Sequence, residues 1–119
     1  MILNAIIKNT KLGFDYPVFS FDLTLDIQDG TGVILGGYAL DNYVKSKKKR
    51  IIQQRGAEAI QRILEVVGVD SWEQLKGRYV RIETKGLGCP VSKIGNIMKE
   101  EWVDFSTFFK GGNKWILKS

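Results

Sequence analysis

The nine residues from Phe19 to Ile27 alternate apolar and polar without a break. Phe19, Phe21, Leu23, Leu25 and Ile27 are separated by Ser20, Asp22, Thr24 and Asp26. Successive side chains of a strand point to opposite faces, so this run specifies a strand with one face buried and one face wet. A strand of that kind needs strand neighbours and a cover on one side only. The flanking residues supply the neighbours. Residues 28–32, Gln-Asp-Gly-Thr-Gly, read as a turn with glycine available for positive φ. Residues 33–35 restart a strand and complete a hairpin. Residues 3–8 form another strand, closed by a bend at 13–17. The Gly36-Gly37 pair interrupts the second hairpin strand, which suggests a bulge or a close backbone approach. Residues 38–41 resume it, and Asp41-Asn42 reads as a loop or the start of a helix.

The cover is a helix predicted over residues 51–67. Ile52, Gly56, Ala59, Ile60, Ile63, Leu64 and Val67 fall on one stripe at a period of 3.6. Gly56 lies on that stripe, where a missing side chain lets a helix approach a sheet closely. Gly68 has the character of a left-handed cap. The spacing of Asp70, Ser71 and Glu73 is that of a capping box opening a short second helix through Leu75 or Lys76. Residues 78–84 then alternate, with Val80 and Ile82 on one face and Tyr79, Arg81 and Glu83 on the other. Residues 86–90 are a loop, and 91–98 return as a hairpin partner with Gly95 as a weak point. Asp104 caps a turn holding Phe105, Phe108 and Phe109. Gly111-Gly112-Asn113 leads into a last strand over 114–117.

Strands grouped around one main helix give an α+β fold. We expect a mostly antiparallel sheet of five or six strands packed on that helix, in a single domain over residues 1–119. At 119 residues and 44% apolar content the chain can bury a core without metal or disulfide help. Its one cysteine, Cys89, has no partner for an intramolecular disulfide, which points to a reducing, cytosolic setting. Neither a signal peptide nor a membrane-length apolar run is evident. Histidine is absent. That removes the usual general base, metal ligand and near-neutral switch, and excludes Ser-His-acid and Cys-His devices.

The net charge of +5 is distributed unevenly. Residues 45–62 hold seven Lys or Arg against the single acid Glu58, while residues 1–44 are net negative. The candidate binding residues are therefore Lys45, Lys47, Lys48, Lys49 and Arg50 in the run, then Arg55 and Arg62, with Tyr38 and Tyr43 as the nearest aromatics. A cluster of this kind neutralises phosphates and releases counterions. Its bland counterpart is a solvated loop or helix end. If the helix begins early, Lys48, Arg55 and Arg62, spaced by seven, form a basic ridge. Other candidates are weaker. The glycines at 30, 32, 36 and 37 match neither a Walker loop nor a dinucleotide fingerprint. Asp22 and Asp26 share a wet strand face but lie about 13 Å apart, too far to share a metal ion. Cys89 has no base or resolving cysteine beside it. Trp72, Trp102, Phe105, Phe108 and Phe109 form either an exposed patch or a second small core, the core being favoured.

Several phrases recur in a familiar order. They are GGYALD at 36–41, ILEVVGV at 63–69, SWEQLKGRYVR at 71–81 and KIGNI at 93–97, followed by Trp102 and Phe105. Over residues 33–109 the chain resembles a family of small proteins encoded in tailed-phage and prophage genomes. None of the phrases is a catalytic signature, and the basic run falls where members of such a family vary. The resemblance implies a binding protein that blocks a host factor, as anti-CRISPR and related anti-defence proteins do. The expectation is thus a non-enzymatic inhibitor of a host nucleic-acid-directed defence, acting in the host cytoplasm. It needs no cofactor and no metal, and is a monomer or homodimer. Its partner is a host defence protein or that protein's nucleic acid. The alternatives are a sponge for a phosphorylated nucleotide and a small enzyme on a phosphate substrate.

Overall fold

The computed structural model describes residues 1–28, 30–86 and 91–108. Eight strands and one long helix follow in order. They are β1 (Ile2–Asp15), β2 (Val18–Ile27), β3 (Gly32–Ala39), β4 (Asp41–Val44), β5 (Lys49–Ile52), α1 (Gln54–Val67), β6 (Tyr79–Glu83), β7 (Lys93–Asn96) and β8 (Trp102–Asp104). Six strands make one sheet in the order β3-β2-β1-β6-β7-β8, and β4 and β5 pair as a separate ribbon. Every pairing is antiparallel. The fold is the expected α+β arrangement. No helix among the described residues is long and apolar enough to cross a membrane.

The alternation along β2 sets the core. Phe21, Leu23 and Leu25 are fully buried, and Ile27 nearly so. The register carries that face across the sheet: Leu25 stands opposite Ile7 and Val33, and Ile82 opposite Leu3 and Ile94, with Val103 opposite Ile94. Each of these side chains leaves water, at roughly 25 cal/mol per Å² of apolar surface. The glycine pair in β3 forms the anticipated bulge. Phe21 pairs with Tyr38 and Asp22 with Gly36, which leaves Gly37 as the extra residue. The bulge turns Tyr38 inward, onto Phe21 and Phe105 at ring separations of 6.2 and 5.5 Å. A Cβ at Gly36, whose φ is +151°, would stand 2.7 Å from the Asp22 Cα.

The helix differs from expectation at its start. It opens at Gln54, with Gln53 as N-cap, and ends at Gly68 in the left-handed region at φ +86°. Residues 51 and 52 belong to β5, and Ile52 is exposed. The buried line on α1 is Gly56, Ala59, Ile63 and Val66, with Ile60, Leu64 and Val67 packed beside it. The helix backbone comes nearest to β7 and β8, and its buried line shares one core with Phe21, Leu23 and Leu25 of β2. Asn96 donates from Nδ2 to the Val66 carbonyl at 2.8 Å, and Arg62 reaches the Trp102 carbonyl at 3.2 Å. Phe105 fills the space over Phe21, with Trp72 and Phe108 around it, so these three aromatics join the main core, while Trp102 lies over Gly95 beside Arg81. The short second helix is a 3-10 turn, Trp72–Gln74. Its box sits one residue later than predicted, because the Gln74 side chain accepts the Asp70 and Ser71 N–H groups. β8 was not anticipated, because three residues are too few to show a period. Asp104 does cap the next turn, accepting the Ser106 N–H at 3.0 Å. Cys89, Phe109 and the strand expected at 114–117 lie outside the described residues.

Gly56 meets the sheet where β3 gives way to β4. A Cβ there would collide with the Leu40 carbonyl and stand 2.8 Å from the Leu40 Cα. The obstacle is backbone and cannot swing aside. We expect Gly56→Leu to cost about 1–3 kcal/mol through overpacking. Gly56→Ala should also destabilise, although alanine gains roughly 1 kcal/mol in helix propensity. Urea denaturation of both variants checks this; a neutral or stabilised Gly56→Ala would contradict the contact.

Candidate anion-binding surface at the paired hairpins

The basic run forms a β-hairpin and no part of α1. β4 and β5 pair Asp41 with Ile52, Asn42 with Ile51, Tyr43 with Arg50 and Val44 with Lys49. Lys45, Ser46 and Lys47 make a single 3-10 turn at the tip, and Lys48 closes it in the left-handed conformation at φ +53°. Lys48 is the only non-glycine residue at positive φ among those described. A four-residue loop ending in a left-handed residue is an ordinary hairpin connection, though a side chain at that φ carries strain that glycine avoids. The ridge of Lys48, Arg55 and Arg62 does not form, because Lys48 precedes the helix by a whole strand.

The structure divides the cations into two groups. The arginines are engaged internally. Arg50 donates from Nε and Nη2 to one Asp41 carboxylate oxygen at 3.2 and 2.9 Å, and from Nη2 to the Asp41 carbonyl at 3.0 Å. Arg55 pairs with Glu58 at 2.8 Å and lies over the Phe108 ring at 4.5 Å. Arg62 holds the Trp102 carbonyl and stands 3.8 Å from Glu65. The lysines are different. Lys45, Lys47, Lys48 and Lys49 are all exposed, and none is in an ion pair among the described residues. Four like charges on one tip repel one another, so an anionic ligand there relieves a cost that the fold itself does not. Of the two candidate aromatics, Tyr43 is exposed beside Arg50, whereas Tyr38 is in the core. Burial pushes the Tyr38 phenol above its usual range, and the Asp104 charge adds to the shift.

Asp41 fixes where this hairpin points. Its side chain is 3% exposed. The carboxylate that takes Arg50 also accepts the Phe19 N–H of β2 at 3.2 Å. Leu40, next to it, donates to the Phe19 carbonyl at 2.8 Å and accepts the Gln53 N–H at 3.0 Å. The ribbon is therefore stitched to the start of β2. That is also the end at which β1 turns into β2, because Asp15 pairs with Val18 and Phe14 with Phe19. The base of the ribbon and the β1–β2 turn thus lie at the same end of β2. The β1–β2 tip is aromatic: Tyr16 is 85% exposed and Phe14 52%, and their rings stack at 5.2 Å with an 11° interplanar angle. Phe14 also meets Phe19 edge-on at 5.2 Å. Sequence reasoning did not single out Asp41, Phe14 or Tyr16. The available signal was the period-2 spacing of Leu12, Phe14 and Tyr16, which extends β1 well beyond residue 8.

Two other places gather polar groups. On the open face of the sheet the Trp102 ring covers Gly95 so closely that a Cβ there would stand 2.5–2.7 Å from it. Arg81 and Lys93 lie 4.9 and 5.6 Å from the Trp102 ring centre. Arg81 is held by the Asn96 and Lys99 carbonyls at 2.7 and 2.8 Å and by Glu100 at 2.9 Å. The Arg81 hydrogen bond, then the Trp102 N–H, keeps the Glu100 carboxyl below its usual range. An open cleft of about 680 Å³ is lined by Met1, Glu83, Thr84, Lys85, Ser92, Lys93, Asp104 and Ser106. Glu83 and Lys93 pair there at 3.0 Å. Asp26, on the wet face of β2, pairs with Lys8 at 3.2 Å. Among the described residues, the strongest grouping of unneutralised charge is the lysine tip. No protein-family model, curated protein or solved structure matches the chain.

The Arg50 hydrogen bond holds the Asp41 carboxyl below the usual carboxylate range, against its burial and with help from the Phe19 N–H. A depressed folded-state pKa contributes stability above the unfolded value near ~3.9, and that stability is lost as pH falls through the folded value. We expect Asp41→Ala to cost about 2–4 kcal/mol at neutral pH. Wild type should lose part of this margin between neutral pH and about pH 3, where Asp41→Asn changes less. Urea midpoints at the two pH values measure it; parallel losses in wild type and Asp41→Asn would contradict the assignment.

Proposed function

We propose that this chain is a non-enzymatic binding protein that occupies an anionic target with the lysine tip of the β4–β5 hairpin. In the phage setting that its phrases resemble, the target belongs to a host nucleic-acid-directed defence, and occupancy blocks it. One observation carries the reading. Four lysines stand together on a braced hairpin with no ion pair among the described residues, while Arg50, Arg55 and Arg62 are used in folding. Arginine's planar fork suits fixed structural pairs; lysine's mobile ammonium suits contact with a diffuse anionic surface. The bracing through Asp41 limits the ordering cost that a floppy basic loop would bear on binding.

Attraction of this kind steers encounter and is screened over about 8 Å at physiological salt. The variant Lys47→Glu/Lys48→Glu/Lys49→Glu should therefore melt within a few degrees of wild type, because exposed substitutions move stability by less than about 0.5 kcal/mol each. It should elute from immobilised heparin at much lower salt. It should also lose protection of phage in cells carrying the targeted defence. A folded variant that keeps both wild-type elution and full protection would remove the hairpin from the function.

A further inference from the structure

We infer that the ligand of the lysine tip is single-stranded nucleic acid, with its bases stacked on the aromatic tip of the β1–β2 hairpin. This rests on the reading of the β4–β5 tip as an anion-binding element and assigns its partner. Exposed aromatic surface is costly to keep, and a stacked pair of rings at a hairpin tip buries little of it. Phe14 and Tyr16 stack on each other and not into the core. Phe14 is backed by Phe19, so the pair has a rigid support on one side. Tyr16, at 85% exposure, ends the stack with an open ring. A nucleobase continues such a stack whatever its identity, because every base has a π-face.

The aromatic tip is joined to the ribbon by a short chain of contacts. Phe14 rests on Phe19, the Phe19 N–H binds Asp41, Asp41 holds Arg50, and Arg50 stands directly across from exposed Tyr43. Tyr43 and Asp41 are two residues apart on β4 and so share one side of the ribbon. From Tyr43 the ribbon continues into Lys45, Lys47, Lys48 and Lys49. Stacked rings at the β1–β2 turn, and ammonium groups on a ribbon whose base is tied beside that turn, are together the chemistry that tracks unpaired bases and their phosphates. Asp41, the acid at the junction, is neutralised by Arg50; Asp15 is exposed between the two rings in sequence and alternates away from them. A duplex supplies the phosphates but hides its bases, and an acidic polypeptide supplies charge without flat rings. Both are therefore poorer occupants.

Fluorescence anisotropy with labelled oligothymidine, a duplex of equal length and labelled polyglutamate separates these occupants, with heparin as a polyanion free of bases. Wild type should bind oligothymidine more tightly than the duplex or polyglutamate. Tyr16→Ala should weaken oligothymidine binding about tenfold, the loss of one base–ring stack, while leaving heparin binding unchanged. Tyr16→Trp should restore it. The triple lysine reversal should weaken binding to every polyanion. Equal affinity for duplex or polyglutamate, or an oligothymidine affinity indifferent to Tyr16→Ala, would overturn the stacking site and leave the anion-binding hairpin standing. Failure of wild type to bind either heparin or oligothymidine would overturn both. Melting curves on each variant establish that the comparison is between folded proteins.

Discussion

The Asp41 carboxylate ties together two parts of the chain, the central hairpin and the basic ribbon. It receives the Phe19 N–H from the central hairpin and the Arg50 guanidinium from the basic ribbon. Leu40 adds two backbone bonds, and the absence of a side chain at Gly56 lets the helix close over that junction. A two-stranded ribbon alone is marginal in water. Here the ribbon acquires a definite direction because its base is tied into the sheet. Its base therefore lies beside the β1–β2 turn that carries Phe14 and Tyr16.

The division of labour between arginine and lysine follows from this junction. In sequence, residues 45–62 look like one basic patch. In space the arginines hold Asp41, Glu58 and the Trp102 carbonyl, so their charge is spent on assembly. What is left for a partner is the lysine tip. Counting charge along the chain overstates the patch, and counting charge that remains unpaired locates it. The Trp102, Arg81 and Lys93 group on the open sheet face illustrates the same point, since Arg81 there is consumed by Glu100 and two carbonyls.

Much of the architecture was legible because it rests on local period. The β2 alternation, the Gly36-Gly37 bulge, the Gly68 cap and the Val80/Ile82 face all depend on near neighbours, and each has its expected place. The start of the helix was not legible. Ile51 and Ile52 continue the helical spacing, but Asp41 captures Arg50 and draws residues 49–52 into a ribbon. That is a tertiary contact overriding a periodic signal, between residues nine apart. The candidate surface was half legible for the same reason. The lysines were visible as charge, whereas their separation from Arg55 and Arg62, and the docking of the ribbon's base beside Phe19, arise only when β4 docks on β2.

The central claim is that the Asp41 junction braces the lysine hairpin against the sheet. Residue-resolved amide hydrogen exchange on wild type and Asp41→Ala tests it directly, because local opening is seen separately from global unfolding. The account predicts that protection is lost at Phe19 and along β4 and β5 in the variant, while amides in the centre of β1, β2 and β6 keep theirs relative to the global stability. Undiminished protection of β4 and β5 in Asp41→Ala would show that the ribbon holds its place without this carboxylate, and would contradict the account.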